Sequence, residues 1–218
     1  MENRGAARVI DYMAAKLKNT ATAMADTMAT DMFGVAITGN TLVGLGAMID
    51  DGTNVNSYGG ITTRSAEYAW WQAYYSNVQP GTAFTLAHWR ALITGTRVGN
   101  EQPNLLVTSE TELDAYENLL LGATPTFSLT TATAMDTLEG GFKAHRFKGI
   151  PIIWDSHMNL LRVYALNTNY IHFRVLQDFH SRGWERPVDY DVLVNHVLWK
   201  GALTGSGCRY QGQLRRNA

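Results

Sequence analysis

The sequence predicts an α+β protein in which a long amino-terminal helix braces a layer of β-strands, with an α/β portion between them. Three observations lead to this class. Apolar residues recur at helical spacing through residues 3–33, a strand followed by a capped helix is predicted in residues 103–121, and apolar and polar residues alternate in the carboxy-terminal half. No internal repeat or low-complexity linker interrupts these segments.

The predicted helix ends at Gly34 and would be roughly 45 Å long at ~1.5 Å per residue. Its apolar spacing averages nearer ~3.7 than 3.5 residues, which argues against a left-handed coiled coil. We expect it to pack on a sheet of its own subunit, with a coiled-coil segment and an ordinary core helix as the alternatives. The stripe consists of Ala6, Ile10, Met13, Leu17, Ala21, Met24, Met28 and Met32.

Composition limits the functional classes. The 218 residues are 45% hydrophobic and carry a net charge of −1, which describes a foldable chain without long-range attraction to nucleic acid. Only the tail, with Arg209, Arg215 and Arg216, is locally basic. The single cysteine, Cys208, excludes an internal disulfide and is predicted to be a buried, idle thiol. No apolar run reaches the ~18 residues of a membrane span, and no signal segment is visible.

Short strands are predicted at residues 35–37 and 42–49, where glycines punctuate two apolar runs. The Gly44-Leu45-Gly46 sequence lacks the third glycine of a dinucleotide fingerprint, so these glycines are predicted to serve chain geometry. Thr85 is predicted to cap a helix that carries Leu86, Trp89, Leu92 and Ile93 on one face.

The α/β portion begins with a strand at residues 103–108. Ser109 and Glu112 form the sequence pattern of a capping box for a helix that runs to Leu121. Residues 122–133 are predicted to be a mobile loop, and strands follow at residues 142–147 and 150–154.

A β-hairpin is predicted from residues 160–166 and 170–176, joined by Asn167-Thr168-Asn169. Alternation in its second strand predicts one buried face, with Ile171, Phe173 and Val175, and one wet face. Residues 192–203 are predicted to form a long, largely covered strand, and residues 210–214 a closing strand. We predict one domain from residues 1–40 and 200–218, with residues 41–199 inserted as a second.

The search for chemistry finds no active site. The six histidines lack the spacing of a zinc protease site. Asp155, Ser156 and His157 are the residue types of a hydrolase triad, but adjacent residues cannot form its relay, so we predict a turn. Acidic residues on the helix after Ser109 are explained by the helix dipole. We therefore predict no enzyme, no metal and no cofactor.

Aromatic residues cluster at Trp70, Trp71, Tyr74 and Tyr75. Core packing or a subunit contact is the preferred interpretation, because no charged constellation accompanies the cluster. A ligand platform is the alternative.

Several runs, in their order, resemble the major capsid proteins of tailed bacteriophages. The helix of residues 3–33 and the GLGAMI run after it resemble that family's spine helix and the strand that follows it. The carboxy-terminal runs are FKGIPIIWD (147–155), VYALNTNY (163–170), WERP (184–187) and LWKGALT (198–204).

The resemblance implies the Hong Kong 97-type capsid fold, with a peripheral domain on the spine helix and an inserted axial domain. It implies a virion protein whose hexamers and pentamers enclose double-stranded DNA through non-specific contacts, with scaffolding, portal or decoration proteins as further partners, no membrane, and assembly in the host cytoplasm. We expect subunit contacts at Trp70, Trp71, Tyr74, Trp184 and Arg186. The arm and extended loop that precede the family's spine helix are not found before residue 3, so locking and covalent cross-linking through them are not expected.

Two other functions remain open at this point. One is an encapsulin-like protein compartment, which differs from a capsid in what it encloses. The other is a small-molecule enzyme with a site between Trp70-Trp71 and the loop after Gly122.

Overall fold

The computed structural model describes residues 6–36, 39–61, 64, 67–123, 135–138, 142–158, 161–188 and 191–216. It has a helix, a seven-stranded mixed sheet and a separate two-stranded ribbon as its main parts. The helices are α1 (Ala6–Met32), α2 (Leu45–Met48), α3 (Leu86–Thr96) and α4 (Glu110–Ala123). The strands are β1 (Tyr74–Val78), β2 (Leu105–Thr108), β3 (Met135–Leu138), β4 (Phe142–Phe147), β5 (Ile150–Trp154), β6 (Arg162–Leu166), β7 (Ile171–Glu185), β8 (Val194–Gly205) and β9 (Gly212–Arg216).

The predicted long helix is present as α1, which lies against β8. Its predicted stripe is half-buried at Met13, Leu17, Met24, Met28 and Met32, whereas Ala21 is exposed. The side chains of Ala6 and Ile10 lie outside the described residues. Because burial along α1 becomes complete only at Phe33, beyond its last turn, the ribbon covers the stripe incompletely.

The strand predicted at residues 42–49 is wrong, because this run contains the short buried helix α2. A Cβ atom at Gly44 would lie 2.2 Å from the Asp31 carbonyl oxygen, and one at Gly46 would lie 2.7 Å from that of Gly34. The glycines therefore allow the chain to pack against the end of α1, as predicted from their geometry. Val35 is in no strand, and Ile37 lies outside the described residues.

The seven-stranded sheet has the order β1-β9-β6-β2-β5-β4-β3. The pairs β1/β9 and β2/β5 are parallel, and the other pairs are antiparallel. The predicted strands β2, β4, β5, β6 and β9 are present, whereas no sequence pattern predicts β1 and β3. The predicted loop at residues 122–133 lies outside the described residues, apart from the two that extend α4.

Both faces of this sheet are covered. On one face, α3 and α4 place Trp89, Leu92 and Tyr116 over Leu106 and Val163. The other face is covered by α2 and the residues that follow α1. That second cluster is formed by Phe33, Leu45, Met48, Ile49, Val107, Tyr164, Leu166 and Cys208, among others. Adjacent residues of one strand enter opposite clusters, as the period of two requires.

Two predicted helix caps have different outcomes. The Thr85 side chain accepts the His88 N–H, and the His88 ring accepts the Thr85 N–H, so α3 begins with a complete capping box. The predicted Ser109 cap is not formed, because the Ser109 hydroxyl is buried without a hydrogen-bond partner. The Glu112 side chain contacts Arg216 instead of the backbone at Ser109, with 2.8 Å between Oε1 and Nη2.

A buried arginine holds the irregular segments before β1 in place. Arg64 is fully buried, and its guanidinium donates to the carbonyl oxygens of Ala47 (3.0 Å), Met48 and Trp71 (3.2 Å). Burial lowers the pKa of Arg64 below its usual value. These bonds satisfy carbonyl groups that no strand or helix pairs.

The predicted hairpin of residues 160–176 is wrong. β6 pairs with β2 and β9 in the large sheet, whereas β7 pairs with β8 in the ribbon. The connection is a 3-10 turn, Thr168–Tyr170, which Asn167 begins by accepting the Asn169 N–H. This turn directs the chain out of one sheet into another instead of folding it back.

Burial in the ribbon also differs from prediction. Phe173 and Val175, predicted to be buried, are 45% and 47% exposed. β8, predicted to be largely covered, is mostly half-buried, and only Leu203 is buried. The described residues therefore cover neither face of the ribbon completely.

The predicted domain grouping does not match the strand pairing. β9 was grouped with α1 but lies in the seven-stranded sheet between β1 and β6. β7 was placed in the inserted portion but pairs with β8, against which α1 lies. Strand pairing thus crosses the predicted boundaries, and the division at residues 40 and 200 remains a prediction.

Both connections between the ribbon and the large sheet pass through one point, which we call the junction (residues 167–170 and 206–211). The Asn167 N–H donates to Gln211 Oε1 at 2.8 Å, and Gln211 Nε2 donates to the Asn167 carbonyl at 3.0 Å. The rings of Tyr170 and Tyr210 stack at 4.2 Å. Asn167 and Gln211 are each 1% exposed, so these hydrogen bonds are shielded from water.

Replacement of Gln211 by alanine is expected to destabilise the unassembled subunit by about 1–3 kcal/mol, because two buried backbone groups of Asn167 lose their partner. Urea unfolding measures the change. The matched control is Gln79→Ala at an exposed position, with an expected effect within about 0.5 kcal/mol. Equal stability of the two variants would contradict the role of the junction.

Candidate subunit-contact surface

Exposed apolar side chains concentrate on the ribbon and beside α1. Leu176 of β7 is 86% exposed, and Phe173, Val175 and Phe179 of the same strand are more than two-fifths exposed. The pairing of β7 with β8 shifts register between Val175 and Gln177 and again before His180. These bulges break the alternation, so apolar side chains leave both faces of the ribbon. Sequence reasoning missed this surface because alternation predicted a buried face.

A cleft of 660 Å³ separates the first half of α1 from the far end of the ribbon. Its wall on α1 includes Tyr12, Met13 and Leu17, and its wall on the ribbon side includes Trp184 and Val192. Trp184 is 39% exposed, and Tyr12 and Val192 are more than half exposed. A second cleft, of 340 Å³, lies farther along α1 beside Met24, Met28 and Trp199. Part of the apolar stripe of α1 therefore faces these two clefts and does not pack directly on the ribbon.

Two predicted contact residues, Trp184 and Arg186, meet in the first cleft. Arg186 forms an ion pair with Asp191 at 2.7 Å, but their side chains are 67% and 89% exposed. An ion pair so accessible to water contributes little. Burial of the apolar Trp184 side chain by a partner would contribute more binding free energy in this cleft than the ion pair does.

The predicted aromatic group divides into different environments. Trp70 is 58% exposed and meets Trp71 edge to face at 5.6 Å. Trp71 is half-buried and stacks on Tyr58 at 6.3 Å, so it belongs to the packing of the core. Tyr74 is half-buried in β1, where its ring occupies the space above Gly95 of α3. Among the three, Trp70 is the side chain presented to solvent.

The Asp155-Ser156-His157 segment is a turn, as predicted. Asp155 Oδ1 and Ser156 Oγ both approach the same ring nitrogen, His157 Nδ1, at 3.2 and 3.5 Å. A catalytic triad places them on opposite ring nitrogens, so this arrangement is not a relay. The other nitrogen, Nε2, lies 2.7 Å from Asp26 Oδ1 of α1. His157 thus connects the spine helix to the turn after β5.

Acidic residues on α4 also have structural partners. Glu112 is 1% exposed and forms the ion pair with Arg216, while burial raises the pKa of its carboxyl. Glu117 lies 2.9 Å from His145 Nε2. Cys208 is buried, and this burial raises the pKa of its thiol to about 11, so the thiol is protonated and unreactive at neutral pH, as predicted.

The part of the chain that the structure describes contains no group of three His, Cys, Asp or Glu residues arranged to hold a metal ion. Over the same residues, no helix combines the length and the apolar character that crossing a bilayer requires. A third cleft, of 470 Å³, lies beside Val35. Trp70 and Trp71 line neither this cleft nor the two clefts along α1. The loop that the enzyme alternative places beside Trp70-Trp71 lies outside the described residues from 124 to 134.

His157 is expected to stabilise the subunit in a pH-dependent manner. Its hydrogen bond to Asp26 raises the pKa of His157 above the usual 6.5, so its stabilisation is complete below that value and is lost as the pH rises through the folded-state pKa. The difference in unfolding free energy between wild type and His157→Gln should therefore be largest at pH 5.5 and smaller at pH 8.5. Chemical denaturation at both pH values measures it, with the exposed His196→Gln as control. A difference that grows with pH would refute this role.

No family model and no curated protein sequence matches the chain. Solved structures do. The capsid of cyanophage A-1(L) superposes with a TM-score of 0.62 at 14% identity over 95% of this chain and 69% of the other. The holo-SrpI encapsulin of Synechococcus elongatus PCC 7942 gives 0.60 at 11% identity over 93% and 65%. The capsid of the empty GTA particle gives 0.53 at 14% identity over 97% and 67%.

The chain thus spans about two thirds of the length of each of these shell proteins. Superpositions at such low identity establish the architecture, and they agree with the fold that the sequence resemblance implied. The chain has the α+β fold of Hong Kong 97-type capsid proteins.

Proposed function

We propose that this chain is a major capsid protein subunit that assembles into an icosahedral shell around double-stranded DNA. The observation that carries the proposal is the set of apolar surfaces that the subunit leaves uncovered: both faces of the ribbon, and the α1 stripe where it borders the clefts. A soluble monomer rarely exposes such a surface without a partner for it.

Copies of the same chain are the partner that this surface fits. Burial of apolar area contributes roughly 25 cal/mol per Å², so several half-exposed side chains such as Leu176, Phe179 and Trp184 supply the main attraction. The methionines of α1 adapt their shape to slightly different neighbours, as hexamers and pentamers of one shell require. Exposed ion pairs such as Arg186–Asp191 contribute little to it.

The net charge limits how the chain contacts the enclosed DNA. A chain with a net charge of −1 has no strong field for nucleic acid, so contact with packaged DNA is proposed to be non-specific and sensitive to salt. Scaffolding, portal and decoration proteins are further proposed partners. The mature location is the virion, after assembly in the host cytoplasm. No catalytic activity forms part of the proposal.

A protein-enclosing compartment is the second candidate, favoured by the similarity to the SrpI encapsulin. The shell contacts proposed above are the same in both cases, and the enclosed material differs. Expression of the chain, first alone and then together with packaging functions, followed by electron microscopy and nuclease treatment of the particles, tests both. Closed particles with nuclease-protected DNA, when packaging functions are supplied, support the capsid; particles that enclose only protein support the compartment. A chain that stays monomeric at high concentration contradicts both.

The exposed tryptophans provide a test of the contact residues. Trp184→Ser and Trp70→Ser are expected to reduce particle yield severalfold and to lower the melting temperature of the unassembled subunit only slightly, because the side chains are 39% and 58% exposed and neither belongs to the buried core. Size-exclusion chromatography with light scattering measures the yield. Trp154→Ser is the matched control, since Trp154 is also a half-exposed tryptophan but is not a predicted contact residue. Equal losses in all three variants would show that these two positions have no special role.

A further inference from the structure

Two arginines face one another on the large sheet. Arg162 of β6 and Arg215 of β9 are directly opposed in the antiparallel register, so their side chains leave the sheet on the same face. Both line a cavity of 470 Å³. The remaining lining residues are uncharged: Val35, Asn54, Val55, Asn56 and Ser57. Like charges opposed across two strands destabilise a sheet unless something compensates them.

Neither arginine has a carboxylate partner among the described residues. Arg162 Nη1 donates to the Tyr164 hydroxyl at 3.3 Å, and Arg215 Nη1 donates to Asn54 Oδ1 at 3.3 Å. Burial raises the pKa of Tyr164, so its hydroxyl is neutral at pH 7. Arg162 is only 7% exposed. A buried guanidinium with one 3.3 Å hydrogen bond to a neutral hydroxyl is poorly compensated, because buried charges are normally paired or fully hydrogen-bonded.

The acidic group near this wall is already occupied. Asp50 Oδ1 accepts the N–H groups of Gly52, Asn54 and Val55 at 2.8–3.2 Å, and its Oδ2 accepts Asn54 Nδ2 at 2.9 Å. Asp50 is 2% exposed and does not line the cavity. Its carboxylate therefore shapes the loop that forms the wall and does not enter the space between the arginines.

Two other arginines, the half-buried Arg216 and the buried Arg64, show the contrast. Arg216 is paired with Glu112 at 2.8 Å, and Arg64 donates to three carbonyl oxygens. Each of them has the partners that its burial requires. Arg162 and Arg215 instead share an open cavity with amide and hydroxyl groups.

We propose that the Arg162–Arg215 cavity binds a phosphate oxyanion. Two guanidinium groups supply planar, paired donors for the oxygens of a phosphoryl group, and an anion between them removes their repulsion. A phosphate has enough oxygen atoms to accept bidentate hydrogen bonds from both guanidinium groups. A carboxylate has two oxygens, which one guanidinium already occupies. The phosphoryl group comes either from inorganic phosphate or from the phosphodiester backbone of nucleic acid. This inference stands on the side chains of one subunit and does not depend on shell assembly.

Isothermal titration of the purified chain with sodium phosphate, against sodium chloride at equal ionic strength, tests the site. We expect saturable phosphate binding and a rise in melting temperature that chloride does not produce. Arg215→Gln should weaken phosphate binding by roughly tenfold or more, and Arg215→Lys should weaken it less, because lysine keeps the charge but loses the fork. The control is Arg90→Gln, at an exposed position of α3, which should bind as wild type does.

Competition identifies the source of the phosphoryl group. Displacement of phosphate by a ten-residue oligothymidylate assigns the site to a nucleic-acid backbone, and failure to displace it assigns the site to free phosphate. The proposal is overturned if phosphate stabilises the wild type no more than chloride does, or if Arg215→Gln keeps the full affinity. The first comparison needs no variant, so it stands even where Arg215→Gln fails to fold.

Discussion

The reciprocal hydrogen bonds between Asn167 and Gln211 fix the geometry on which the rest of the structure depends. The chain crosses between the large sheet and the ribbon twice, and the Gln211 side chain joins the two crossings by binding the backbone N–H and carbonyl of Asn167, 44 residues away. Asn167 Nδ2 extends the connection to Glu101 at 3.1 Å and to the Gln102 carbonyl at 3.2 Å. Because these groups are enclosed, a change in the angle between ribbon and sheet would leave buried polar atoms without partners. The ribbon therefore presents its apolar side chains in a defined direction.

Side-chain hydrogen bonds also hold irregular backbone elsewhere in the structure. The segments between α1 and β1 contain little regular structure, and Arg64 supplies hydrogen-bond donors to three of their carbonyl groups. His157 binds Asp26, which ties α1 to the turn after β5. Together these contacts hold the irregular segments and α1 on the large sheet, while much of the exposed apolar surface lies on α1 and the ribbon. Such a division suits a protein that binds copies of itself through surfaces and not through a preorganised cleft.

Sequence patterns correctly predict the elements that are determined by residues close together in the chain. The stripe of α1, the Thr85 cap of α3 and the strand before α4 each follow from spacing and capping within a few residues.

The errors arise where residues distant in the chain determine the local structure. Asn167-Thr168-Asn169 has the composition of a hairpin loop, but Gln211 and Glu101 redirect it. Gly44 and Gly46 interrupt an apolar run because α1 packs against them. For the candidate contact surface, the sequence pattern indicates Trp184 and Arg186 but does not distinguish the exposed Trp70 from the packed Trp71 and Tyr74, since exposure depends on tertiary packing. The opposed pair of Arg162 and Arg215 depends on strand register, which no local pattern gives.

The central claim is that other copies of the chain cover the apolar faces of α1 and the ribbon. Hydroxyl-radical footprinting of dispersed and assembled protein measures this directly, residue by residue. The account predicts that labelling of Leu176, Phe179 and Trp184, and of Met13 and Met24 on α1, falls severalfold on assembly. Assembled particles in which these side chains are labelled as strongly as in the dispersed subunit would contradict it.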